Sequence, residues 1–307
     1  MRHLDLLAEA GLYGLAGPPG SGGLGLDIAT ACQVIEVLAG CCLTTTFVWM
    51  QHHGPVFAVS GASDPLRQEW LGPLCRGERR AGIALAGVRA GRARLNARPG
   101  EGGWLLEGTA PWVSGWRRID VALTAARHEE DSVVSMLVDM TECETLRVEP
   151  VALVAVNASA TVLIHFLDHF VPPERVVGTQ TYAEWQARDA AGLRLNGSLA
   201  LGVAGRCCRL LGPTALDEAL MARRAELDGA STEQMPAARA AASELAMRAA
   251  SALVAASGSR AALLAEHAQR LAREATFLLA FGQRPAIRSS LLARLGAGPR
   301  LAPTGGP

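Results

Sequence analysis

Two changes of hydrophobic period divide this chain and limit what it can fold into. Up to about residue 80, and again from about 183, apolar residues recur at the spacing of one helix face. Between about 81 and 178 they come in short runs broken by Gly, Pro, Asn and charged clusters. One segment cannot serve both periods, because faces repeat about every 3.6 residues on a helix and every second residue on a strand. The expected fold class is α+β: an N-terminal helical layer over 1–80, a middle antiparallel β-barrel or sandwich over 81–178, and a C-terminal four-helix bundle over 179–307.

Within the first block Ile28, Val34, Ile35, Val37 and Leu38 follow helix spacing, with a cap expected near Asp27 and Gly40 near the end. Leu43–Met50 leads to His52, His53 and Gly54. A third helix is expected from Asp64 to Leu71, with Asp64 as N-cap and Pro65 at the first helical position. The alanine-rich stretches 187–211, 214–228, 236–257 and 259–281 supply the four bundle helices. Pro236 suits a first turn, and Pro285 with the Gly/Pro tail after Gly296 is expected to end the ordered region, leaving LAPTGGP loose.

The formal net charge is zero, which argues against broad attraction to nucleic acid or to an anionic membrane. Every basic side chain other than histidine is arginine, so Schiff-base lysine chemistry is excluded. No basic-then-apolar leader and no apolar run of membrane-spanning length is present. Cysteines at 32, 41, 42, 75, 143, 207 and 208 include no C-x-x-C, so neither a disulfide framework nor a zinc signature is expected. The expectation is a cytoplasmic protein with buried thiols, in which the N-x-S triplets at Asn157 and Asn196 carry no weight.

Gly20, Gly22 and Gly25 in GPPGSGGLGLD match the G-x-G-x-x-G spacing of a dinucleotide loop. Pro18 and Pro19 stand where the strand before it would finish, and no acid lies near TTTFVWM, so a glycine-rich turn into a helix is the better reading. His165, Asp168 and His169 suggest a metal only on a helix. VLIHFLD alternates like a strand, which puts the two histidines on one face and Asp168 on the other, and no metal site is expected. His52 and His53 diverge on a helix; Glu129, Glu130 and Asp131 suit a solvated turn. Arg89, Arg92 and Arg94 suit phosphate contact or a solvated loop equally. No nucleophile elbow occurs. In GTAPWVSGW, Trp112 and Ser114 sit two apart on a short strand, where they would offer an aromatic surface and a hydroxyl to one planar ligand; a core tryptophan before a turn is the alternative.

The order of the three blocks, with this segment in the middle, resembles the acyl-CoA dehydrogenase family over nearly the whole chain. AGLYGLAGPPGSGGLGLD is similar to the family's glycine-rich opening loop, and RQEWLGPLCRGERRAGIALAG to its passage into the β domain. LLEGTAPWVSGW resembles the G-x-K-x-W-I-T signature, and HFLDHFVPPERVVG the V-P-x-x-x-x-l-G segment. The resemblance implies FAD as cofactor. Trp112 and Ser114 would flank the flavin, the backbone of Leu85, Ala86 and Gly87 would meet its pyrimidine edge, and Gly91 and Arg92 would lie near the thioester. Arg224 would reach the pyrophosphate of FAD in a neighbouring subunit.

The departures from the family pattern bear on chemistry. Its threonine–glutamate–proline motif is Ala86–Gly87–Val88, the serine after its glycine is Arg92, and its lysine before the tryptophan is Ala110. The two places where the family keeps its proton-abstracting carboxylate fall in LAPTGGP and near Leu195–Asn196, neither of which has an acid, and its first helix is not matched. The catalytic residue is therefore left unassigned. The resemblance implies a flavoprotein subunit for α,β-desaturation of an acyl-CoA or acyl-carrier-protein thioester. It would lack its own base and work in a homo- or hetero-oligomer, dimer or tetramer, with a related chain. The alternatives are an FAD-free paralogue that stabilises an active dehydrogenase, and an independent flavoenzyme using an unexpected acid such as Asp189.

Overall fold

VALTAARH at 121–128 is the most deeply placed strand of the molecule, with residues 121–126 all buried. A computed structural model describes residues 2–89, 94–129 and 131–297. By internal packing the chain makes two units: 1–31 with 44–153 and 157–188, and 32–43 with 154–156 and 189–307.

The first unit starts with α1 (Arg2–Glu9), and α2 (Ile28–Cys41) runs from it into the second. Helices α3 (Leu43–Met50), α4 (His53–Ser60) and α5 (Asp64–Cys75) follow. Eight strands come next: β1 (Ala81–Ala84), β2 (Leu95–Gly100), β3 (Gly103–Val113), β4 (Val121–His128), β5 (Ser132–Asp139), β6 (Leu146–Pro150), β7 (Val162–Val171) and β8 (Val176–Thr181), then α6 (Tyr182–Ala191). They form one sheet in the order β6-β7-β3-β2-β4-β5-β8, with β1 also on β4.

The expected α+β order of helices, sheet and helices is present; the sheet is mixed and does not close, so barrel or sandwich describes it only loosely. β1 lies parallel to β4 at Ala81↔Val121 through Ala84↔Thr124, while β2 meets β4 in parallel only at Asn96↔Arg127. Two strands thus divide one edge of β4, and β6 and β8 remain the ends of the strand order. Burial on both faces explains the nearly continuous apolar run of β4. Ala122 and Ala126 join Leu106, Ala110, Ile164 and Phe166 on one face. Val121 and Leu123 pack under Val56, Val59, Leu66, Trp70 and Leu74 of α4 and α5 on the other.

The glycine-rich loop has no strand before it; Leu12–Gly14 and Pro19–Ser21 are 3-10 turns. It folds on itself through Leu24 N–H to Gly14 O (2.8 Å) and Gly25 N–H to Gly17 O (2.9 Å). A Cβ on Gly23 would sit 2.1 Å from Gly17 O, so this glycine answers to backbone contact. Asp27 then caps α2, its Oδ1 accepting the Thr30 N–H at 2.7 Å. α5 begins at Asp64 itself, with Ser63 in the capping position, and runs on to Cys75.

The second unit holds the C-terminal helices α7 (Leu193–Leu211), α8 (Ala215–Gly229), α9 (Met235–Ser257), α10 (His267–Ala280) and α11 (Pro285–Arg294). Alanines 240–242, 246, 249 and 250 are buried along α9, against which α7, α10 and α11 pack. Thr214 and Asp217 form a capping box at the start of α8. Three expectations change. Residues 187–211 are broken at Gly192, between α6 and α7. The stretch 259–281 is not one helix, because Gly258 at φ +58 ends α9 and a 3-10 turn occupies Gly258–Ala262 before α10 starts. Pro285 opens α11 instead of ending the ordered region, since the first helical turn needs no N–H from that residue.

Candidate functional site

β1 carries the chain into a 3-10 turn at Ala86–Val88, which folds against β3. The closeness of that contact is set at Gly87, where a Cβ would lie 2.8 Å from Leu95 Cβ and 3.1 Å from Thr109 O. A Cβ on Gly82 of β1 would lie 3.3 Å from Ser114 O. Residues 85–87 and 112–114, expected to flank one ligand, are therefore brought to the same part of the sheet. Gly91 and Arg92 lie outside the described residues.

Trp112 and Ser114 do not share a face. The register of β3 on β7 slips between Ala110↔Ile164 and Val113↔Val162, and Trp112 sits in the bulge at φ +63. An extra residue reverses strand parity, so spacing by two no longer means one side. The indole is 54% exposed. Ser114 is 2% exposed, and its hydroxyl bonds Thr161 Oγ1 at 2.8 Å, which bonds Ser159 Oγ at 2.8 Å. That hydroxyl is part of a buried chain.

A second bulge separates the histidines. Ile164 opposes buried Ala110, and Thr109 opposes His165, so His165 lies on the outer face, where it bonds Thr109 (3.1 Å) and Glu149 (3.3 Å). Asp168 at φ +51 shifts the pattern. His169 then opposes buried Leu106 and bonds Thr145 Oγ1 at 2.9 Å, with burial pushing its pKa down. The expectation of one shared face fails for the same reason as at Trp112. Among the described residues no three His, Cys, Asp or Glu side chains gather as metal ligands, and all seven cysteines are free thiols. No helix among them is long and apolar enough to cross a membrane.

His52 and His53 at the start of α4 are both buried. Ala81 N–H donates to His52 Nδ1 (3.0 Å), so Nε2 carries the proton and donates to Leu74 O (3.0 Å). This imidazole ties the end of α5 to β1, and burial pushes its pKa down to about 4. His53 has no hydrogen-bond partner on either nitrogen and stands edge-on to Trp49 at 4.6 Å. Burial pushes its pKa down to about 3.

In the second unit, Arg224 of α8 gives Nε (2.9 Å) and Nη2 (2.7 Å) to one oxygen of Glu36 on α2. Arg194 of α7 is held by Asp228 (2.6 and 2.9 Å) and by Ser198 Oγ (2.8 Å). α2 and α7 approach closely because Gly40 and Gly202 stand at their crossing; a Cβ on Gly202 would lie 2.4 Å from Glu36 O. The signal for this network was Glu36 itself, the single acid in the apolar helix IATACQVIEVLAGC. Asp189, the candidate unexpected base, is ion-paired with Arg284.

Tested against a flavin, these residues match the ring and not the polar contacts. An exposed indole on β3 and a tightly packed backbone turn folded against the same strand suit the face and edge of a planar group. Ala86 has no hydroxyl, and that of Ser114 is engaged with Thr161.

Residues 2–78 match the family described as "Acyl-CoA dehydrogenase, N-terminal domain", and 174–281 match "Acyl-CoA dehydrogenase, C-terminal domain". The short-chain specific acyl-CoA dehydrogenase of Mus musculus mitochondria is 24% identical over 184 residues, which are 56% of this chain and 44% of the mouse protein. The match thus spans less than half the length of that relative. Among solved structures, butyryl-CoA dehydrogenase from Megasphaera elsdenii superposes with TM-score 0.81 at 16% identity, over 96% of this chain and 88% of the other. A glutaryl-CoA dehydrogenase from Mycobacterium smegmatis in complex with FADH2 superposes with TM-score 0.77 at 17% identity, over 96% and 86%. At these identities the likeness is one of fold.

Proposed function

Because the chain belongs to the acyl-CoA dehydrogenase family, we propose that it is a flavoprotein subunit for α,β-desaturation of an acyl-CoA or acyl-carrier-protein thioester, acting with a related partner chain in a dimer or tetramer. The observation that carries this reading is Trp112. A bulky residue at positive φ costs roughly 1–3 kcal/mol, persists only where the surrounding structure holds it, and clusters at functional sites. Here it carries a half-exposed indole on β3, the strand against which the 86–88 turn folds. The structural likeness to a dehydrogenase complexed with FADH2 supports FAD as the planar group. When bound, FAD supplies the hydride acceptor of the reaction.

On this reading Trp112 packs against the flavin, Leu85, Ala86 and Gly87 meet its edge through their backbone, and Ser114 supports the wall from behind through Thr161. Gly91 and Arg92 serve the thioester, and Arg224 serves a phosphate. Abstracting an α-proton needs a base. Residues 85–89 and 109–116 contain no carboxylate, and Asp189 is held by Arg284, so the base is assigned to the partner. A second reading, an FAD-free paralogue that stabilises an active dehydrogenase, is favoured by the commitment of the Ser114 hydroxyl to Thr161.

The two readings separate on the visible spectrum of the chain, purified alone and co-purified with a related dehydrogenase chain, each with added FAD. The subunit reading expects flavin absorption in the mixed complex, with loss of bound flavin and of turnover in Trp112→Ala. A mixed complex whose flavin content and turnover ignore Trp112→Ala and Ser114→Ala would leave only the FAD-free paralogue.

A further inference from the structure

Glu36 stands between two guanidinium groups and is bonded to only one of them. Its Oε2 accepts both bonds from Arg224. Its Oε1 is buried without a hydrogen-bond partner, 3.9 Å from Arg194 Nη2. We propose that Glu36 is an internal counter-anion that occupies Arg224 in the free chain and yields it to a phosphoanion by passing to Arg194.

The geometry supports each half of that exchange. Hydrogen bonds to a carboxylate form at about 2.7–3.2 Å, so a shift of roughly 1 Å gives Oε1 the partner it lacks. Arg194 is a fixed receiver, because Asp228 and Ser198 hold it. Arg224 is the group free to turn outward: its side chain is 28% exposed against 8% for Glu36. Its remaining contact from Nη1, to Met221 Sδ at 3.0 Å, is to a weak acceptor. Two arginines and two carboxylates leave the cluster neutral, so an arriving anion competes with Glu36 for the same Arg224 donors until Glu36 moves. Once it has moved, the Arg224 fork presents two N–H groups to two phosphate oxygens.

The choice of probe rests on the reading of Arg224 as a phosphate contact; the exchange between the two arginines does not. The test is calorimetric titration of the full chain with inorganic pyrophosphate at constant ionic strength, with FAD and CoA in parallel arms to distinguish the source of the phosphate. Glu36→Gln removes the competing charge and is expected to bind pyrophosphate about tenfold tighter than wild type. Arg224→Gln is expected to bind about tenfold weaker. Arg194→Gln leaves Glu36 no second partner and is expected to weaken binding, an effect that disappears when Glu36→Gln is also present. Equal affinity of wild type and Glu36→Gln, or no binding to either, overturns the proposal. Should Glu36→Gln fail to fold, wild-type affinity in both Arg224→Gln and Arg194→Gln overturns it as well. Pyrophosphate following the pattern while FAD binds neither the chain nor its mixed complex leaves the exchange standing and removes the flavoprotein reading.

Discussion

Substituting Gly202 by alanine tests whether the α2–α7 crossing sets the position of Glu36. The added Cβ would stand 2.4 Å from Glu36 O, 2.7 Å from Ala39 Cβ and 3.1 Å from Gly40 N. Two of these are backbone atoms, so no flexible side chain can swing away. To restore a tolerable contact of about 3.0 Å the two helices must part by roughly 0.6 Å, in an interior packed as densely as an organic crystal. Overpacking of this kind costs about 1–3 kcal/mol, against a gain of about 1 kcal/mol from replacing glycine in a helix. Gly205 lies one turn along α7, and a Cβ there meets only ordinary contacts, Leu220 Cδ2 at 3.4 Å and Arg209 Nη1 at 3.6 Å. Gly205→Ala therefore keeps the propensity gain without the clash. Thermal unfolding of the two variants is expected to differ by about 1–3 kcal/mol in favour of Gly205→Ala, roughly 2–4 °C for each kcal/mol. The larger loss in Gly202→Ala should come with weaker protection of the Glu36–Arg224 pair. If Gly202→Ala melts at or above Gly205→Ala, the close crossing is not what places Glu36.

Two more expectations concern the first unit. The depressed pKa values of His52 and His53 mean that the unfolded chain binds more protons than the folded one below about pH 6.5; their contribution to stability is full above that pH and is lost as pH falls toward about 4 for His52 and about 3 for His53. Each contributes a slope of about 1.4 kcal/mol per pH unit in its window, so His53→Phe should flatten the acid limb of a melting-temperature profile, and an unchanged limb refutes its burial as a neutral imidazole. At Trp112, φ +63 suits glycine, so Trp112→Gly is expected to stabilise the chain by about 1 kcal/mol while removing flavin-dependent absorbance from the mixed complex; destabilisation by chemical denaturation would show that the indole is a packing element.

What the sequence determined by itself was everything carried by period and by local punctuation. Helices and strands followed from faces repeating every few residues, the start of α2 from Asp27, and the irregular nature of GPPGSGGLGLD from its two prolines. The neighbourhood of 85–87 and 112–114 was legible through the family likeness. Tertiary structure alone decided where parity breaks. The bulges at Trp112 and Asp168 arise from strand pairing, and each reversed an inference that counted residues by twos. It also decided which charges meet. Glu36 and Arg224 stand 188 residues apart in sequence, and only a crossing between two glycines, Gly40 and Gly202, lets α2 bring that carboxylate to α7 and α8. Period fixes which way a side chain faces only while its element stays regular; packing fixes where that regularity breaks and what the side chain finds there.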